Sequence, residues 1–539
     1  MTHRLAYAPP PRPGGLSASV SPLTIESLVG VARSGGDVTP PSGDARERME
    51  GSRAWVREAV ETSTETISGV NTGFGSLAST RIRPDQAALL SRNVILKCAV
   101  GVGDPLPPDW VRAMMFLRAH SLSHGVSGVR PVIVDTLVEM LNRGVLPRVP
   151  CKGSLGASGD LAPLAHIAAV ATRGPPGMEA DYSGEAWFEG ELLPGAEAMS
   201  AAGIERPAVE AKEGLALTNG TTMMVAGAAL VIHDTRRLLA HAEIAAALSM
   251  EGLRALTEAF HPALHEVNNQ PGQISTAARL RELLSGSTLC DSDPDKVQDA
   301  YSIRCTPQVL GPIHDVIDFL SGRVEAALNA ASDNPLIFLR RLDHPTRKAV
   351  SGGNFHGAGP AMWLDMLGIA IAEAANISDR RVFRLLTPEL SGGLPAMLVP
   401  DPGLNGGLMT VQYTGAALVS DNKTLAHPDS VDSIPSSANQ EDHVSMGANA
   451  ARHAWEIAAN VRYVIAIELL AAAQAIYLRG VGPESLGAGT GPVYREIRER
   501  VEPVLVDRAL APDIAVLGEL VDRGVLLDVC EHARRPGRA

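Results

Sequence analysis

KGSLGASGDLAPLAH, Lys152 to His166, is the stretch on which the reading of this chain turns. At its centre stand Ala157, Ser158 and Gly159. Attack of the Gly159 amide nitrogen on the Ala157 carbonyl, with loss of one water from the new ring and one from the Ser158 hydroxyl, gives a 4-methylidene-imidazol-5-one (MIO). Its exocyclic methylene is an electrophile. Gly159 lets the nitrogen approach with no Cβ in the way, Ser158 supplies the leaving hydroxyl, Ala157 keeps the site small, and Asp160 is placed to move protons. The tripeptide alone reads more plainly as a Gly/Ser turn ahead of an apolar helix, Leu161 to Val170.

Outward from that stretch the pattern is helical. On its N-terminal side Gln86 to Val100 and Asp109 to His124 carry apolar residues at three and four spacing, and Val132 to Arg143 is opened by Pro131. Earlier still come amphipathic helices at Leu23 to Val31 and Ala45 to Thr64, then a Gly-rich loop, ISGVNTGFGSLAST. That loop has neither dinucleotide nor P-loop spacing. Residues 1–22 read as a disordered Pro-rich arm, and residues 23–220 as an N-terminal domain bearing the tripeptide.

Beyond the stretch, Gly174 to Glu205 is a surface excursion with a hairpin around Ala186 to Leu193. From Thr221 a helical pattern runs for roughly 30 residues, about 45 Å at 1.5 Å each. His233, Asp234, Arg236 and Arg237 interrupt it, which favours a buried bundle helix over a membrane span. Similar segments recur at Ile313 to Ala331, Gly359 to Leu385 and His453 to Leu478. They are apolar nearly all round and so call for burial on several sides. The expected fold is mainly α, with residues 221–530 a long multi-helix bundle, few short strands, and 531–539 a frayed tail.

At 539 residues with 4% aromatics the composition suits packed helices, and a net charge of −13 argues against nucleic acid or an anionic membrane as partner. The five cysteines have no C-x-x-C pair, so neither a disulfide framework nor a metal site is indicated. A cytoplasmic location is expected.

Five more segments then fall in order along the chain: GVNTGFG from Gly69, AKEGLALTNGT from Ala211, QDAYSIRCTPQV from Gln298, DNPLIF with SGGNFHG from Asp333 and Ser351, and SANQEDHVSM from Ser437. With the opening stretch they resemble the MIO-dependent ammonia-lyase and aminomutase family of aromatic amino acids, and most closely its histidine ammonia-lyase branch. The resemblance implies an ammonia-lyase-like helical fold and an MIO formed autocatalytically from Ala157, Ser158 and Gly159. It also implies a homotetramer with shared active sites. Arg304 is then expected to hold the substrate carboxylate through a bidentate fork, with Tyr301 and Asn219 lining the same site. Phe355 is expected to pack on the cofactor, Gln308 and Asp160 to support it, and Glu441 to lie near the substrate amine or side chain. Surface ion pairing for Arg304, turn bonding for Asn219, core packing for Phe355 and plain solvation for Glu441 are the structural alternatives.

Two departures from the family pattern stand out. Where the family has a tyrosine ahead of G-[VI]-N-T-G-F-G, taken as the catalytic base, this chain has Ser68, whose hydroxyl is shorter and far less acidic. In VILKCAVGVG, Lys97 and Cys98 replace the serine and histidine of histidine-type members. Lys97 is a candidate partner for an acidic or polar substrate group, and Cys98 leaves more room than an imidazole; a solvent-facing lysine and a merely packed cysteine are the alternatives. The reading is a carbon-nitrogen lyase that converts an amino acid to an α,β-unsaturated acid. The alternatives are a 2,3-aminomutase and, because of Ser68, a scaffold without catalysis or with other MIO chemistry.

Overall fold

The computed structural model describes residues 16–20, 22–35, 37–73, 75–178, 181–340 and 348–534. Among these are nineteen α-helices and only short strands, the mainly α architecture expected. The proline-rich arm up to residue 15 and the tail from 535 lie outside the described residues. Order begins before the expected Leu23, because Leu16–Ser17 pairs in parallel with Val38–Thr39 and Ala18 is buried. At the other end the last helix, Val525–Arg534, continues past Cys530.

The described residues fall into two compact units that interleave along the chain. The first contains the described residues up to Leu230, with those of Ser321–Asp365 and Pro428–Arg452; the second contains Val231–Leu320, Met366–His427 and the described residues from His453.

In the first unit, helix Pro108–Leu122 is buried from Trp110 to Leu122, which explains why its sequence shows no polar stripe. A cation in such a helix must be satisfied internally. Arg112 bonds the carbonyls of Val31, Ala32 and Leu141, and so caps the C-terminal ends of helices Ile25–Ser34 and Pro131–Arg143. The expected hairpin forms with Ala186 opposite Leu193, and Leu146–Pro147 adds a third strand. Lys212 and Asp333 make a fully buried ion pair at 2.8 Å, and Ser127 donates to the same carboxylate.

The second unit is built from long apolar helical segments. Glu468, about two-thirds of the way along helix Gly447–Leu478, accepts from Arg381 through two guanidinium nitrogens and from the hydroxyls of Ser249 and Ser378. Gln474, one helical turn and a half further on, bonds the carbonyls of Leu398 and Val504 and the Val504 amide. Polar side chains in this helix therefore stitch it to its neighbours. Among the described residues it alone is long and apolar enough to cross a membrane, but 78% of its most apolar window is buried inside the protein.

Candidate active site

The stretch that opened the sequence reading folds into a tight turn ahead of helix Leu161–Ala171. Gly159 pairs with Gly156 and Ala157 on one side and with Gly220 on the other. Its φ is +74°, and a Cβ there would sit 2.1 Å from the Gly220 carbonyl oxygen, so only glycine fits. The turn is tied down at several points. Ser154 Oγ donates to the Gly159 carbonyl, the Met446 amide to the Leu155 carbonyl and the Asp160 amide to the Gly220 carbonyl.

Two donors converge on the Ser158 carbonyl oxygen: Asn219 Nδ2 at 2.9 Å and the Gly220 amide at 3.3 Å. Helix Glu213–Thr218 ends at Asn219, and that end places both donors. From the far end of the chain, Glu441 brings Oε1 to 3.5 Å from Ser158 Oγ, while its Oε2 accepts from Ser436 at 2.7 Å. Cys98, the last residue of helix Ala87–Cys98, is buried. Burial raises its thiol pKa; Lys97 opposes the shift and nearby Glu441 adds to it. The thiol is therefore neutral and sits within the electrostatic reach of Glu441. Lys97 itself is exposed.

Asp160 is fully buried and is pushed up to about 7 by desolvation, against the opposing pull of the Met224 and Met223 amides and Arg118. Its Oδ2 accepts from those two amides, at the N-terminus of helix Thr222–Gly252, where a carboxylate is favoured by the exposed N–H groups and the helix dipole. The folded pKa lies above the unfolded one, so the native state binds more protons between pH 3.8 and about 7, and stability falls as pH rises through that window. Asp160→Asn is expected to flatten this part of the stability profile, as read by urea midpoints at several pH values.

The other expected residues are placed as follows. Ser68 is half-buried in a turn whose next residue, Gly69, packs against Pro335 and Leu215. Phe355 is half-buried, and its neighbour His356 bonds the His443 carbonyl at 3.2 Å, two residues from Glu441. Tyr301, Arg304 and Gln308 belong to the second unit; Tyr301 is 78% exposed, Gln308 is exposed, and Arg304 donates to Gln298. The turn thus gathers Ser158, Asp160, Asn219 and Glu441, with Cys98 within the electrostatic reach of Glu441. Sequence reasoning missed Arg118, whose Nη1 bonds the Asn219 carbonyl, and Ser445, whose hydroxyl donates to the Gly156 carbonyl at 3.4 Å. A lone arginine inside the apolar run MMFLRAHSL was the available signal for the first.

Residues 23–499 match the family model described as aromatic amino acid lyase. The chain is 46% identical over 515 residues to the histidine ammonia-lyase of Treponema denticola, covering 96% of this chain and 98% of that relative. Among solved structures it is similar to histidine ammonia-lyase from Trypanosoma cruzi, with TM-score 0.85, 37% identity and coverage of 96% and 95%. It is also similar to tyrosine aminomutase from Streptomyces globisporus, with TM-score 0.87, 32% identity and coverage of 96% and 98%. With a family model matching residues 23–499 and a relative 46% identical over nearly the whole length, the chain belongs to the aromatic amino acid lyase family and is a histidine ammonia-lyase-like ammonia-lyase.

Proposed function

We propose that Ala157, Ser158 and Gly159 close into MIO and that the enzyme uses it to eliminate ammonia from an amino acid, leaving an α,β-unsaturated acid. The observation that carries this reading is the pair of donors on the Ser158 oxygen, joined to a turn that admits only glycine at position 159. The Ser158 carbonyl becomes the ring carbonyl, so these donors stand where negative charge gathers. When formed, MIO supplies an electrophilic methylene for the substrate amine.

The remaining roles belong to side chains. Glu441, beside Ser158 Oγ, is placed to take a proton from the arriving ammonium. Cys98 and Lys97 shape the end of the pocket that receives the substrate side chain, which sets it apart from a histidine-type pocket. Arg304 is assigned to the substrate carboxylate and Tyr301 to proton transfer, with Phe355 and Gln308 supporting the ring; these four rest on the resemblance. The exposure of Tyr301 supports a site completed in an oligomer, as does the apolar stripe of Met362, Met366 and Ile369 on one exposed helix face. A cytoplasmic homotetramer is the assembly we infer, with a small amino acid as its partner and neither nucleic acid nor membrane.

The test is a broad amino-acid panel with ammonia and the unsaturated acid measured together. Equal amounts of both support the lyase; a β-amino acid with little free ammonia would instead favour the aminomutase reading, which the likeness to tyrosine aminomutase keeps in play. A mature enzyme inert to the whole panel would point to the scaffold. In parallel, Ser68→Tyr is expected to raise turnover of the amino acid that the panel identifies about 100-fold, by restoring a phenol where the family has its base. No gain would show that this loop position does not limit the reaction.

A further inference from the structure

Arg118, on helix Pro108–Leu122 behind the turn of the proposed ring, is 1% exposed. Its Nη1 donates to the Asn219 carbonyl at 2.9 Å and to Thr222 Oγ1 at 3.2 Å. Nε and Nη2 have no hydrogen-bond partner among the described residues. No carboxylate among the described residues forms an ion pair or hydrogen bond with it. Asp160 is engaged by the Met223 and Met224 amides, and Asp333 by Lys212 and Ser127; both act on Arg118 only through space. Burying a guanidinium without a contacting counter-ion is costly, so the question is what its charge acts upon.

The Asn219–Gly220 peptide gives the answer. Its carbonyl end accepts from Arg118, and its N–H end donates to the Ser158 oxygen at 3.3 Å. A cation on an amide oxygen draws electron density away from the nitrogen and strengthens the N–H as a donor, the cooperative effect expected of hydrogen bonds in series within a low-dielectric interior. Gly220 keeps the series intact. A Cβ there would sit 2.9 Å from Arg118 Nη1 and 2.5 Å from Ser332 Oγ.

We infer that Arg118 is an electrostatic positioning residue of this site, acting through the Asn219–Gly220 peptide to stabilise negative charge on the Ser158 oxygen. The inference rests on the ring-forming reading above. That oxygen gathers charge twice: when Ser158 loses its Cα proton and its hydroxyl as water, and again whenever a nucleophile adds to the finished methylene.

The test compares wild type, Arg118→Lys and Arg118→Gln as full-length protein. Intact mass gives the loss of two waters per subunit, and its rise after addition of cyanide gives the rate of nucleophile uptake. Circular dichroism and urea midpoints identify the folded variants. Each folded variant is expected to take up cyanide about 10-fold more slowly than wild type, because neither side chain delivers a guanidinium to the Asn219 carbonyl. A folded variant that never loses the two waters supports the same role at the earlier step. Cyanide uptake at the wild-type rate in either folded variant would overturn the inference alone. A wild-type subunit of unmodified mass would remove the ring reading and this inference with it.

Discussion

Ser158→Ala is expected to yield a folded subunit with its full, unmodified mass and a turnover lower by roughly 10³-fold or more. Alanine has no hydroxyl to lose, so the exocyclic methylene cannot form even if Gly159 still approaches Ala157. The variant is informative because so little else changes. The Ser158 hydroxyl makes one long contact, 3.5 Å to Glu441, whereas the bonds that hold the turn use backbone atoms and the Ser154 and Asn219 side chains. Thermal stability should therefore shift by no more than about 0.5 kcal/mol. Loss of activity together with loss of fold would show that the hydroxyl is structural, and retained activity would exclude MIO from the reaction.

The second large effect is on stability. Glu468→Ala should destabilise the protein by about 3–5 kcal/mol, because it strands the Arg381 guanidinium in a fully buried site. Both side chains of this pair have zero exposure. The hydroxyls of Ser249 and Ser378 lose their acceptor in the same substitution. Replacing both charged residues with methionine should recover much of the loss, since no ion is then left unpaired and the volume stays filled. Thermal and urea unfolding of Glu468→Met, Arg381→Met and the double variant closes the cycle; equal destabilisation of Glu468→Met and the double variant would remove the ion-pair explanation.

Much of this architecture was legible along the chain. Pro131 opens its helix at the expected residue, the hairpin pairs Ala186 with Leu193, and the long pattern from Thr221 becomes helix Thr222–Gly252. The misplaced boundaries share a cause. Helix Thr306–Leu328 starts seven residues before the expected Ile313 and carries Pro312 inside it. A proline inside a helix costs a backbone bond, but Leu310, Ile313, Ile317 and Leu320 are all buried, and their packing outweighs that loss. Helix Gly447–Leu478 likewise begins six residues before His453, through Gly447 and Asn449, where Ala448, Ala450 and Ala451 are buried. Local propensity is worth tenths of a kcal/mol per residue, and burial of an apolar side chain several times more.

The site divides in the same way. The stretch Lys152 to His166, read with the five ordered segments, points to the proposed ring because that closure would involve only neighbouring backbone atoms and one hydroxyl, and periodicity reveals helices because their bonds are local. Ser158 and Glu441, by contrast, are 283 positions apart, and nothing in either motif states that they meet. Nor does the run MMFLRAHSL state that its arginine ends on the Asn219 carbonyl, 101 positions away. Contacts of that range exist only once helices have packed, because it is the burial of their apolar faces that brings these polar groups within bonding distance.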